Sequence, residues 1–298
     1  FTGHKGLLGP QGIGGFILRE HRVEQALAGL ASEASVSLRL NPFKHTDAFP
    51  LGGDGECRPV AWSEHGRLLS GRPVFTLDPL FHAGAYYVQD SSAMYVGEQF
   101  RNLLSRLERP QDRPLRVLDL CAAPGGKATD AAASLRAVCG DSYLLVANEI
   151  MRSRAGVLAA NGAIWGAPCV AVSSLDPAAF AALPEFFDII IADVPCSGEG
   201  MFRKDSRARE QWSVDNVALC AQRQRRIVAD VWPALRPGGL FIYSTCTFNR
   251  QENDGNVEWI RDNLGAGVLD LPLGYEGLIA TEYGCSLVPG FVPGEGQY

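Results

Sequence analysis

The 298-residue chain holds no histidine beyond His82: His4, His21, His45, His65 and His82 all lie in its first third. Chemistry housed in the rest of the chain has no local imidazole. A Cys-His or Ser-His pair would have to reach across domains, which argues against a hydrolase. The eight cysteines, at 57, 121, 139, 169, 196, 220, 246 and 285, contain no C-x-x-C pair and no zinc-ligand spacing, so no metal is expected. Scattered in this way they fit reduced thiols in a cytoplasmic protein better than a disulfide framework. No apolar run approaches the roughly 20 residues that cross a bilayer, so a membrane span is not expected. Neither G-x-G-x-x-G nor G-x-x-x-x-G-K-[ST] occurs, which removes the common pyrophosphate and triphosphate cradles. Position 1 is not methionine and no charged-then-apolar leader follows, so the chain reads as processed or trimmed, with further sequence expected at either end.

Positive charge is also in short supply. Lys+Arg number 27 against 33 Asp+Glu, giving a formal net charge of −6 and a pI of about 5.4. Such a body does not advertise a nucleic-acid partner. Two segments nevertheless concentrate cations, FRKDSRAR (202–209) and RQRR (223–226), either as basic patches or as solvated helix faces.

What is present is a regular alternation. Residues 1–80 read as a small separate α+β unit. A glycine-rich opening leads into REHRVEQALAGLAS, where Val23, Leu27 and Leu30 keep helical spacing. SVSLRL then alternates like a half-buried strand, and DGECRPVAWSEHG reads as a strand between turns. From about residue 115, LRVLDL, SYLLVANE, APCVAVSSLD, FFDIIIADV and LFIYST read as five strands, with RPGG as the turn into the last. The helices ATDAAASL and MRSRAGVLAANGAI fall between them. A long helix carries Ile227, Val228, Val231 and Leu235, bent near its end by Pro233. NRQEND is predicted to start another helix, with Asn249 and Glu252 at capping-box spacing. The unbroken apolar run IIIA suits a parallel strand buried on both faces. Residues 81–298 are thus expected to form an α/β, doubly wound, Rossmann-like sheet.

In an open parallel sheet, ligands sit at the carboxyl ends of the strands. CAAPGGK follows the first strand, Glu149 ends the second and Asp176 follows the third. Gly125 and Gly126 let backbone approach a ligand closely. Glu149 is placed to accept hydrogen bonds from two ribose hydroxyls. A nucleoside without a pyrophosphate fits these facts, S-adenosyl-L-methionine among them; a plain strand–helix turn is the simpler alternative. Asp193 ends the fourth strand, Cys196 comes three residues later, and Cys246 closes the fifth. Adjacent strands lie about 4.8 Å apart, so both thiols would project over one sheet edge, as a reacting pair or as small buried residues. A thiolate beside a methyl donor suits methylation at carbon 5 of a pyrimidine. Addition at carbon 6 makes carbon 5 nucleophilic, and an acid such as Asp193 can protonate or hydrogen-bond ring nitrogen 3.

LDLCAAPGGKATD, ANEI, IIIADVPCSGEGMFRKD and YSTCTFNRQEND together resemble the Sun-type RNA (cytosine-5) methyltransferase family. EGMFRK is similar to its bacterial small-subunit ribosomal RNA branch, and VSLRLNPFK and DPLFHAGAYYVQDSSAM resemble the family's approach to the catalytic domain. The likeness runs from about residue 36 to 262. It implies S-adenosyl-L-methionine-dependent methylation of a cytosine in 16S ribosomal RNA. Cys246 would be the nucleophile, Cys196 the product-release group and Asp193 the acid. Contacts to the methyl donor would come from Cys121, Ala122, Ala123, Pro124, Gly125, Gly126, Lys127, Glu149, Arg154, Asp176 and Asp193. Arg203 and Lys204 would grip the RNA backbone, and residues 1–80 would bind RNA. The segment CSLVPGFVPGEGQY departs from the family's R-x-x-P-H…G-E-G-F-F element by lacking its arginine and histidine. Members of this branch often continue into an RNA-binding domain, and this chain stops before one. A tRNA substrate and a non-catalytic assembly factor that only holds the methyl donor are the alternatives.

Overall fold

The structure is a computed structural model and describes residues 20–44, 57–269 and 273–298. The glycine-rich opening, His45 and the residues just before Cys57 lie outside the described residues. In chain order the elements are α1 (Glu20–Ala31), β1 (Val36–Leu40), β2 (Arg58–Val60), β3 (Ser63–Leu69), α2 (Pro79–His82), β4 (Tyr86–Val88) and α3 (Met94–Arg106). β5 (Leu115–Asp119), α4 (Gly126–Cys139), β6 (Tyr143–Asn148), α5 (Arg152–Trp165), β7 (Val170–Ser173) and β8 (Phe187–Asp193) then alternate. They are followed by α6 (Ser206–Gln211), α7 (Val214–Val231), β9 (Leu235–Ser244), α8 (Asp254–Leu264), β10 (Ile279–Ala280) and β11 (Cys285–Ser286). The chain divides into two compact units. Of the described residues, a sheet unit takes in 36–44, 57–193 and 233–242; a second unit takes in 20–35, 194–232, 243–269 and 273–298.

The sheet unit carries a five-stranded Rossmann-like sheet of order β7-β6-β5-β8-β9, in which β5 pairs in parallel with β6 and β8, and β6 with β7. β8 is buried from Phe187 to Ala192, as its apolar run requires. The exception along it is Asp188, fully buried and charged. Arg113 grips it with two bonds of 2.7 and 2.8 Å, Arg236 adds a third at 2.6 Å, and together with the Arg116 N–H they hold its carboxyl below the usual range. β9 starts at Leu235 and takes in the RPGG segment expected as a turn, with Gly238 at φ +69°.

The same unit holds an antiparallel sheet of order β2-β3-β1-β4. The segment expected to be one strand after residue 54 is a hairpin, β2 and β3. β4 pairs with β1, so the small sheet runs past the boundary expected at residue 80. The compact units cut the chain differently from that boundary, and Arg39 on β1 shows why. Its guanidinium, 1% exposed, donates to Gln89 Oε1 (2.8 Å), Thr129 Oγ1 (2.7 Å) and the Gly126 carbonyl (3.1 Å), and lies 4.6 Å from the Trp165 ring centroid. A buried cation with its donors satisfied across two elements fastens the antiparallel sheet to α4.

In the second unit, α7 buries Val217, Cys220, Ala221, Gln224, Ile227, Val228 and Val231, one stripe at helical spacing. Its N-cap Ser213 accepts the Asn216 N–H, and the helix stops before Pro233, leaving Leu235 to open β9. The predicted capping box lies upstream of its helix. Asn249 and Glu252 bond reciprocally, the Glu252 N–H to Asn249 Oδ1 (2.9 Å) and the Asn249 amide to Glu252 Oε1 (2.7 Å), but α8 begins at Asp254. Both side chains are buried, and the pair shapes a turn instead of capping a helix. No helix among the described residues is long and apolar enough to cross a membrane.

Candidate active site

In the sheet unit the loop Cys121–Lys127 leaves β5 and enters α4, with Gly125 as the helix N-cap at φ +117°, a conformation that suits glycine. Its backbone is tied down on several sides. The Ala122 N–H donates to the Asn148 carbonyl (2.8 Å), Arg154 to the Ala123 carbonyl (2.8 Å), Asn161 to the Pro124 carbonyl (2.8 Å), and Arg39 to that of Gly126. Asn148, 1% exposed, is the hub. Its amide donates to the Leu120 and Leu175 carbonyls, and its Oδ1 accepts from Ser173 Oγ and the Leu175 N–H. Three strand ends are thereby pinned by one side chain, a role that nothing in the pattern ANEI reveals.

The acids at those strand ends have distinct surroundings. Glu149 is buried; its Oε1 accepts the Met151 N–H (3.0 Å) and its Oε2 faces Arg154 at 3.0 Å, which leaves lone pairs free for further donors. Arg154, expected as a methyl-donor contact, spends its guanidinium on Glu149 and Ala123 and acts as a strap. Asp176 is exposed and its Oδ1 accepts the Ala178 N–H, capping a short 3-10 turn. Asp193 pairs with Lys127 at 2.8 Å. The acid that sequence reading missed is Asp119, the last residue of β5. It is fully buried, and neither carboxylate oxygen has a hydrogen-bond partner among the described residues. Burial, with a smaller push from Asp193, raises its pKa to about 7 against the pull of Lys127. The strand-end rule that picked out Glu149 and Asp193 applies equally to Asp119 and could have found it. Cys121 is held as a thiol, pushed up by burial and then by Asp119, Asp193 and Glu149.

The two candidate thiols come together in the second unit, with Cys196 Sγ and Cys246 Sγ 3.2 Å apart. Around them runs a buried polar network. Ser197 Oγ meets Thr247 Oγ1 at 3.1 Å, the Ser197 N–H donates to Glu252 Oε2 (3.0 Å), and Gln224 donates to the same oxygen (2.7 Å). The Gly200 N–H donates to the Cys246 carbonyl at 2.7 Å, and a Cβ at Gly200 would stand 2.7 Å from that oxygen, so the close approach requires glycine. On the far side of the cysteine turn, Thr245 exchanges two backbone bonds with Tyr298 (2.9 and 3.2 Å). The Cys196 thiol is pushed well up, first by its bond to Cys246, then by burial and by the charges of Cys246 and Glu252.

Arg203, expected to grip RNA, is instead internal. Its guanidinium forms a two-point pair with Glu295 (2.7 and 2.9 Å) and donates to the Gly29 and Gly294 carbonyls, with only 6% of the side chain exposed. The basic segment thus includes a cation consumed by the GEG segment of the chain's last residues, and Lys204 Nζ stands 3.9 Å from the same Glu295 carboxylate with a third of its side chain exposed.

A parallel sheet with a glycine loop after its central strand and acids at the neighbouring strand ends is a Rossmann-like sheet of the methyltransferase type. Two solved structures share this fold: a methyltransferase homolog from Pyrococcus horikoshii (TM-score 0.73, 23% identity, 93% of this chain and 88% of that one) and NSun6 from Pyrococcus horikoshii, solved with SFG (TM-score 0.75, 16% identity, 93% of each chain). The family described as 16S rRNA methyltransferase RsmB/F matches residues 106–265, and the N-terminal domain of 16S rRNA methyltransferase RsmF matches residues 17–91. The chain belongs to the 16S rRNA methyltransferase RsmB/F family. It is 38% identical over 252 residues to the ribosomal RNA small subunit methyltransferase F of Pectobacterium atrosepticum, covering 80% of this chain and 49% of that protein. Against the Klebsiella pneumoniae protein of the same name it is 39% identical over 221 residues, 72% of this chain and 44% of that one. The chain spans about half the length of the curated relatives it matches.

Proposed function

We propose that this chain methylates carbon 5 of a cytosine in small-subunit ribosomal RNA, with S-adenosyl-L-methionine as the methyl source and Cys246 as the covalent nucleophile. A cytoplasmic location goes with that substrate. The observation that carries the reading is the 3.2 Å approach of Cys196 and Cys246 in a chain of this family. Two thiols placed together have no part in methyl transfer to oxygen or to an amine, and both find a use in transfer to a pyrimidine carbon.

The strand-end residues fit the methyl source. The unpartnered Asp119 carboxylate offers buried acceptors to a cationic ligand, Glu149 has lone pairs for a ribose diol, and the loop Cys121–Lys127 is held in place by its straps. That compound supplies an electrophilic sulfonium methyl group. The protein's share begins with Cys246, whose thiolate adds to carbon 6 of the ring, forming the S–C6 bond and moving the electron pair to carbon 5. Asp193 donates a proton to ring nitrogen 3 and so stabilises the adduct, with the Lys127 ammonium 2.8 Å away as the source of that proton. Once carbon 5 carries its methyl group, a base removes the carbon 5 proton, the C5=C6 bond re-forms and the Cys246 sulfur leaves. Cys196, protonated beside that sulfur, returns a proton to it. The target base must be unstacked, because thiol attack needs the ring face.

The test is transfer of tritiated methyl from S-adenosyl-L-methionine to small-subunit RNA. Wild type is expected to label the RNA and Cys246→Ala to label none. Full activity in Cys246→Ala would overturn the covalent route, and labelling of tRNA instead of ribosomal RNA would overturn the substrate.

A further inference from the structure

Two buried carboxylates in the second unit have no role in the chemistry above. Glu199 lies three residues after Cys196, and its Oε2 accepts the Phe248 N–H at 2.6 Å, two residues beyond Cys246. Glu252 lies six residues after Cys246, and its Oε2 accepts the N–H of Ser197, the neighbour of Cys196, at 3.0 Å. Each cysteine segment therefore sends a carboxylate to grip the backbone of the other. The remaining acceptor positions are filled by neutral donors. Trp212 Nε1 (3.0 Å) and the Asn249 amide (3.2 Å) bond Glu199 Oε1, while Gln224 (2.7 Å) and again Asn249 (2.7 Å) bond Glu252. Glu252 is 0% and Glu199 7% exposed, and neither forms an ion pair among the described residues.

Burying a carboxylate without a cation is unfavourable even when it is hydrogen-bonded, and a neutral amide would fill the same space more easily. Here two stand close enough for one Asn249 amide to bond both. Their arrangement is also asymmetric. Glu252 reaches the amide next to Cys196, whereas Glu199 reaches past Cys246 to Phe248.

We propose that Glu199 and Glu252 are positioning residues that strap the two cysteine segments together, and that Glu252 decides which thiol attacks. The assignment rests on the reading of Cys246 as the nucleophile. The bond to Cys246 and burial disfavour a thiolate at Cys196, and negative charge at Glu252 adds to both, so Cys196 stays protonated and donates its S–H to Cys246. Cys246 is then the sulfur left to attack. The titratable groups bearing on Cys196 in this unit are Cys246, Glu252 and Tyr243; Cys220 also feels Glu252, and Arg225 bears on Tyr243. Of these, Glu252 is the one carboxylate.

The test is residue-resolved alkylation of the whole chain with iodoacetamide between pH 6 and 10, each thiol followed by peptide mass spectrometry. It needs neither RNA nor methyl donor, so it reads the strap even if the methylation reading fails; a wild type that methylates no RNA would sink that reading alone. In wild type, Cys246 is expected to react first. In Glu252→Gln, Cys196 should react faster at pH 8 than in wild type, its ionisation midpoint moved down by loss of the neighbouring charge, while methyl transfer slows. Glu199→Gln should slow methyl transfer and leave the Cys196 profile at its wild-type position. Glu252→Asp keeps the charge and should keep the Cys246-first order. A folded Glu252→Gln with wild-type midpoints at both thiols would overturn the proposal. So would a folded Glu252→Asp that loses the order, whether or not the glutamine variant folds.

Discussion

Replacing Asp119 by asparagine should stabilise the protein in a pH-dependent way while weakening its hold on the methyl source. The carboxyl is fully buried, has no hydrogen-bond partner among the described residues, and has a pKa of about 7. In the unfolded chain an aspartate titrates near 3.9, a difference of about three units, or about 4 kcal/mol at 1.36 kcal/mol per unit. The sign follows from proton binding. Between about pH 4 and pH 7 the folded state keeps a proton that the unfolded state has lost, so wild-type stability falls as pH rises through that window and levels off above it. The amide of the Asp119→Asn variant does not titrate. The variant's stability relative to wild type should therefore sit at a constant offset near pH 4 and climb by up to about 4 kcal/mol by pH 8. Urea unfolding of the two proteins at pH 4.5, 6 and 8, without ligand, reads this directly. Calorimetric titration with S-adenosyl-L-methionine should show weaker binding to the variant. In wild type, affinity should rise through neutral pH, because a cationic ligand favours the ionised carboxylate. A stability difference that is flat with pH would refute the reasoning, as would unchanged ligand affinity.

Three further outcomes are expected. Gly200→Ala places a methyl group 2.7 Å from the Cys246 carbonyl, so it should abolish methyl transfer through displacement of the cysteine turn, visible as altered Cys246 alkylation, while ligand affinity stays at the wild-type value. Arg203→Ala leaves Glu295 buried without its guanidinium and should destabilise by about 3–5 kcal/mol, measured by chemical unfolding. Lys204→Ala should cost at most about 1 kcal/mol of stability through its outer ion pair with Glu295 and reduce the salt slope of RNA binding by about one, the mark of one lost phosphate contact.

The parallel sheet was legible because its strands are short apolar runs separated by glycine turns, and FFDIIIADV can hardly be anything but a strand buried on both faces. The cysteine pair was legible from its position after two strands expected to be neighbours, an order the sheet shows. The first 80 residues were harder. Arg39 looks like a surface cation inside an alternating strand, and nothing local reveals that its partners are Gln89, Gly126 and Thr129, 50 to 90 positions away. Arg203 misled for the same reason: a basic segment after a catalytic loop suggests a phosphate contact, but its partner Glu295 lies 92 residues on. Asn249 and Glu252 have the spacing of a helix cap, and their true work, closing a buried turn against Ser197, depends on a strand crossover that spacing does not encode. Asp119 is a different case. It stood in plain view at a strand end, but only its burial without a partner distinguishes it from an ordinary acid.

The central claim is that Cys246 attacks and Cys196 releases. Incubating Cys196→Ala with small-subunit ribosomal RNA and S-adenosyl-L-methionine should build up a complex that survives denaturing electrophoresis. Nuclease digestion and peptide mass spectrometry of that complex should place a single methylated cytosine on the peptide containing Cys246. Failure of any denaturation-resistant complex to form would contradict the release role of Cys196. A Cys246→Ala protein that forms the same complex through Cys196 would contradict the account as a whole.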